Sequence, residues 1–166
     1  AISNSGDHLV IASTSIVSNT VTPGSSGPGG INNYGSITMT HSILAHNDGS
    51  NCVNNHILVS TGHNLDSGNT CGFAAVGDLI NTDPLIAPLQ DNGGHPTASG
   101  QPPATHALIG GSPAIDAGSD VGCPATDQRG VGRPVDGDLD KLAKCDIGTY
   151  ACETNQNKPP LAARQS

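Results

Sequence analysis

The chain repeats itself. Leu9, Ile11, Thr14, Ile16 and Asn19 recur as Ile37, Met39, Ser42, Leu44 and Asn47, every pair 28 positions apart. Within each copy the apolar residues stand two apart, the period of a strand with one buried face. A repeat of about 20 to 50 residues marks units that bury their apolar rows only by stacking on neighbours.

This pattern predicts an all-β chain in three parts. A short right-handed parallel β-helix, a solenoid, occupies residues 1–76. An irregular, loop-rich cap follows over 77–152, and then an extended polar tail over 153–166. The first coil, residues 4–22, has strands at 9–12 and 15–18. A turn-rich connector at 22–30 leads to the second coil at 31–49. The third, at 57–65, keeps the alternation in Ile57 and Val59 and turns at 62–64. Asn19, Asn47 and Asn64 are expected at equivalent corners, where side-chain amides bond to the copy above. Prolines at 84, 88, 96, 102 and beyond end the ladder. The cap is expected to cover the open edge of the last coil.

Composition agrees. Among 166 residues, Gly 22 and Pro 12 favour turns over helices. The aromatic residues are Tyr34, Phe73 and Tyr150, so the core rests on Ile, Val, Leu and Ala. A net charge of −8 with six Lys and Arg disfavours nucleic acid and anionic membrane surfaces. Five Cys point to an oxidising compartment, hence an extracellular or cell-surface location. No apolar run is long enough for a transmembrane segment. The chain opens in mid-repeat and reads as part of a longer exported precursor.

The second half carries four strings: NTDPLIAPLQDNGG at 81–94, THALIGGSPAIDAG at 105–118, TDQRGVGRP at 126–134 and CDIGTY at 145–150. In that order and spacing they resemble the choice-of-anchor Q domain of bacterial surface proteins. The preceding coils, with GGINNYGSITMTHSILAHN at 29–47 and GHNLDSGNTCGF at 62–73, look like the repeats that accompany it. The resemblance spans residues 29–150 and implies a surface location and a right-handed parallel β-helix. No reaction comes with it. Two departures stand out: Ala151, Cys152 and Glu153 replace the family's Gly-Ala-aromatic-Glu ending, and no sorting signal follows.

Read as chemistry, Asp116, Asp127, Arg129, Arg133 and Asp146 place two guanidinium groups among three carboxylates, which predicts a buried ion-pair network fixing the cap. The cysteines suggest disulfides Cys52–Cys71 and Cys123–Cys145. Cys152 is then odd: unbonded, a competitor for Cys145, or a link to another molecule. Asp136, Asp138 and Asp140 alternate, with Asp146 following, and such alternation presents oxygens to calcium. Ile147 stands where the bidentate Glu of a calcium loop belongs, so a solvated acidic loop is the competing account. No cofactor is expected, with calcium the candidate exception. The seven histidines lack zinc-protease spacing, and Ser112 lacks a nucleophile elbow.

Carbohydrate-cleaving β-helices need carboxylates on adjacent strands. The outward strand positions Val10, Ala12, Ser15, Val17, Thr38, Thr40, Ile43 and Ala45 offer none. The expected function is thus a non-catalytic extracellular structural or adhesive module. An exposed first edge and the polar tail suggest self-association head to tail into filaments. Cell-surface glycans are a further candidate partner. The alternative is a carbohydrate-binding or polysaccharide-lyase-like fragment, with sugar platforms limited to three aromatic side chains.

Overall fold

The computed structural model describes residues 1–24 and 27–153, so the expected tail lies outside the described residues apart from Glu153. Alternating apolar residues produce three short strands per repeat, one more than the sequence pattern predicts. The first repeat holds β1 (Ile2–Asn4), β2 (His8–Ala12) and β3 (Ser15–Val17). The second holds β4 (Ile31–Asn33), β5 (Ser36–Thr40) and β6 (Ile43–Ala45), and the third β7 (Cys52–Asn54), β8 (Ile57–Ser60) and β9 (Leu65–Asp66). Equivalent strands pair in parallel, giving sheets ordered β1-β4-β7, β2-β5-β8 and β3-β6-β9. The described residues contain no helix.

Register aligns like with like. Leu9 lies beside Ile37, Ile11 beside Met39 and Ile16 beside Leu44. Ile11, Ile16, Ile31, Ile37, Met39 and Leu44 form one buried cluster, closed by Cys52, Cys71 and Phe73. Each such side chain contributes about 1.5–3 kcal/mol on full burial. Polar rows run beside the apolar ones. Asn4 donates to Asn33 at 2.9 Å, and Asn33 to Asn54 at 2.8 Å. Asn19 donates to Asn47 at 2.8 Å, and Asn47 to Asn51 at 2.8 Å.

Two sequence expectations need correction. Asn64 does not join Asn19 and Asn47. The spacing between second and third repeats shrinks from 28 to 22, which sets Asn64 beside Ser42 and Thr14. There the Thr14 N–H donates to Ser42 Oγ, the Ser42 N–H to Asn64 Oδ1, and the Asn64 N–H to Asp78 Oδ1. Between β5 and β8 the spacing is 21 rather than 28, an odd change that reverses the phase. Leu58 aligns with Ile37 and faces inward, while Ile57 and Val59 are exposed.

Parallel pairing also outlasts residue 76, because β10 (Leu79–Ile80) adds to β9. Beyond it, β11 (Gln90–Asp91) and β12 (Ala104–Thr105) form a small antiparallel pair, with isolated bridges Ile86–Leu108, Thr126–Gly132 and Val135–Lys144. This irregular half packs somewhere other than expected. It lies on the outer face of the β3-β6-β9-β10 sheet, where Ile43, Ala45 and Leu65 meet Leu108, Ala114, Ile147 and Tyr150. That sheet is buried on both faces. The loop at 67–78, bearing Cys71 and Phe73, fills the end of the stack instead.

Candidate functional site

The charged residues singled out in the sequence converge in the second half, around residues 116–153. Asp127 and Arg129 sit on the turn closed by the Thr126–Gly132 bridge. Asp127 is engaged on every side: Oδ1 accepts the N–H groups of Arg129 and Val131 at 2.7 and 3.0 Å, and Oδ2 accepts Ala151 N–H at 3.0 Å. Arg129 Nε and Nη2 approach Oδ2 at 2.9 and 2.8 Å. The remaining guanidinium hydrogens reach Ala151 O at 2.6 Å and Tyr150 Oη at 3.1 Å. Its carbon stands 3.8 Å from the Tyr150 ring centroid, a cation–π contact. Burial raises Tyr150 to about 12, so the phenol stays protonated and accepts or donates as a neutral group.

Asp116 and Asp146 form a second node. Asp146 Oδ1 accepts the Asp116 N–H at 2.7 Å, and Oδ2 accepts the Cys152 N–H at 2.6 Å. Burial pushes Asp146 up to about 6, against those two donors. Asp116 Oδ2 accepts the N–H groups of Gly137 and Asp138, and Oδ1 that of Lys144. Arg133 is different. Its Nη2 donates to Gly148 O at 2.9 Å and its Nη1 to Asp146 O at 3.4 Å, but its buried Nε has no acceptor. Among the described residues no carboxylate oxygen is within salt-bridge distance of it. The five residues therefore separate into one direct ion pair, two backbone-anchoring carboxylates and a guanidinium held by carbonyls.

The acidic loop does not gather the four residues proposed for calcium. The carboxylates that meet are Asp116, Asp136 and Asp138. Asp136 already accepts the N–H groups of Leu139 and Lys141, Asp138 that of Asp140, and Asp140 that of Leu142. Asp146 turns into the interior. These are the bonds of tight polar turns, and Asp116 is the member that sequence spacing missed.

Cysteine geometry follows suit. Cys52 is bonded to Cys71 and Cys123 to Cys145. Cys152 stands outside both bridges, buried in the second core, with Sγ 3.7 Å from Leu108 O. Burial pushes its thiol up to about 11, which leaves little nucleophilic thiolate at neutral pH. A bond to another molecule is sterically closed to it.

Three groups escaped the sequence reading. Asp66 is fully buried and collects Asn51 Nδ2, Gly68 N, Thr70 N and Cys71 N. Asp78 holds Asn64 N, Ser60 Oγ and Ala75 N. His41 and His63 stack with centroids 5.3 Å apart and tie the strands to the second half. Ser119 N–H donates to His41 Nε2 at 2.9 Å, and His63 Nδ1–H donates to Ala117 O at 2.8 Å. Burial, then the neighbouring His63, lowers His41 from its ordinary 6.5. The recurrence of His41 and His63 just before Ser42 and Asn64 was the available signal.

Among the described residues, strands β1 to β8 carry no carboxylate on their outward faces, and Ile43 and Ala45 are covered altogether. No helix among the described residues is long and apolar enough to cross a membrane. Compared with known proteins, the chain matches no family model, no curated protein and no solved structure.

Proposed function

We propose that this chain is a non-catalytic, extracellular structural or adhesive module: a right-handed parallel β-helix with a choice-of-anchor Q-like second half. The observation that carries the reading is the engagement of its buried carboxylates. Asp66, Asp127 and Asp146 each accept two or more backbone or side-chain N–H groups. Catalytic acids and bases need an unengaged oxygen facing a cleft, whereas these oxygens brace turns. Two disulfides suit an oxidising setting.

The sheet edges support a head-to-tail self-association. Strands β1 and β2 each have one neighbour, as do β7 and β8 at the opposite edges of the same parallel sheets. An edge of each kind is complementary to the other, and such heterologous contacts generate filaments when they do not close. Light scattering across micromolar concentrations, with electron microscopy of the same samples, tests this. Growing end-to-end particles are expected. A strictly monomeric species at every concentration removes the assembly proposal.

A further inference from the structure

A pocket of about 240 Å³ opens where the β2–β3 corner meets the second half, lined by Ser13, Thr126, Gln128, Arg133, Gly148 and Thr149, among others. Its character is unusual for so acidic a chain. Arg133 brings a guanidinium with no carboxylate at salt-bridge distance, held in place by the Asp146 and Gly148 carbonyls. Asp127 also lines the space, but both its oxygens are taken by backbone N–H groups and its charge is matched by Arg129. Around them stand the Ser13 and Thr126 hydroxyls and the Gln128 amide, none of which bonds to another described side chain or backbone group. The Thr149 hydroxyl donates to Ser15 Oγ at 3.2 Å and retains its acceptor lone pairs.

We infer that this pocket binds a small molecule with a carboxylate on a hydroxylated carbon skeleton, either a free hydroxy acid or the acidic unit of a sugar. A guanidinium with no carboxylate in direct contact recognises a planar carboxylate better than any neutral group. Hydroxyls and an amide satisfy hydroxyl groups in either hydrogen-bonding direction. Pockets for drug-sized ligands run from about 300 to 1,000 Å³, so this smaller space suits one sugar-acid unit. The lining contains no aromatic ring, which disfavours neutral sugars that rely on stacking. The proposal goes beyond the scaffold reading and does not depend on it, because the pocket is complete within a single chain.

The test is a set of amide-detected NMR titrations of the whole chain at low salt, with gluconate, glucuronate, glucose and acetate as probes. The amides of Thr126, Gln128, Gly148 and Thr149 report the pocket. Saturable shifts with gluconate or glucuronate in the millimolar range, weaker at high salt, support the inference. Preference for gluconate identifies a free hydroxy acid, and preference for glucuronate a sugar acid. Glucose shifting the same amides equally overturns it, as does acetate binding as tightly as either acid, or no saturation by any probe. Arg133→Gln should abolish binding. Because that change also removes carbonyl contacts, Thr126→Val and Gln128→Ala serve as independent variants at exposed positions. Each is expected to weaken binding several-fold with an unchanged melting temperature, and unaltered affinity in both overturns the site.

Discussion

Arg129 shows how much one side chain organises. It pairs with Asp127, covers the Tyr150 ring and satisfies the Ala151 carbonyl, all while almost wholly buried. Removing one partner of a buried pair strands the other charge, at a cost of about 3–5 kcal/mol. Arg129→Ala should lose stability of that order in urea denaturation. Arg129→Lys should recover only part, because an ammonium lacks the fork that reaches carboxylate and carbonyl together. His41 makes a pH-dependent prediction. Its folded pKa lies below the ordinary 6.5, so between those values the unfolded chain binds more protons. Its contribution is present in full above pH 6.5 and is lost as pH falls toward the folded value. Asp146, raised to about 6, acts in the opposite sense, since its protonation on acidification favours the folded state. Melting temperatures of wild type and His41→Asn, which share Asp146, should therefore converge as pH drops below 6.5. Residue types alone exposed the network of Asp127 and Arg129. They did not expose Asp66 or Asp78, because a carboxylate that caps backbone N–H groups needs no charged neighbour and leaves no pairing pattern.

At the scale of elements, the bent segment at 145–150 docks against β3 and β6. Gly148 N–H donates to His41 O at 2.9 Å, and Thr149 N–H to Ser15 Oγ at 3.2 Å. Gly148 has φ +94°, and an added Cβ would stand 2.8 Å from both Ile43 Cδ1 and Ser15 Oγ. Gly148→Ala should destabilise by about 1–2 kcal/mol from the backbone alone, and further from displacement of Ile43. Differential scanning calorimetry measures it. The Cys52–Cys71 bridge spans 19 residues, and a loop of that size is worth about 3 kcal/mol in the chain-entropy picture. A Cys52→Ser, Cys71→Ser double variant should lower the denaturation midpoint accordingly and expose the Phe73 plug to proteolysis. The principal strands were legible because alternation survives in any window of four or five residues. β1, β4 and β7 were not, since three residues with a single inward apolar side chain carry no hydrophobic period. The phase of β8 was misread because Ile57, Leu58 and Val59 form a continuous apolar run, and only register decides which of them faces inward.

For the whole molecule, the decisive feature is where the second half sits. An apolar triplet, Ile43-Leu44-Ala45, was the local sign of a strand covered on both faces. Alternation alone implies one wet face, and so places the irregular half at the end of the stack rather than along its side. The loop carrying Cys71 and Phe73 fills the apolar interior at that end, while the backbone edges of β7 and β8 have no further strand beside them. If the edges of β1 and β2 meet those of β7 and β8 in a second molecule, charge introduced at the first edge should block growth. Ser3→Lys with Val10→Lys is expected to leave the melting temperature nearly unchanged and to reduce the scattering mass to that of one chain.

The Ser15–Thr149 contact joins positions 134 apart. During synthesis, the apolar row of Ile43, Ala45 and Leu65 is therefore finished long before its cover is translated. Until the 145–150 segment is translated, the nascent chain carries that row uncovered.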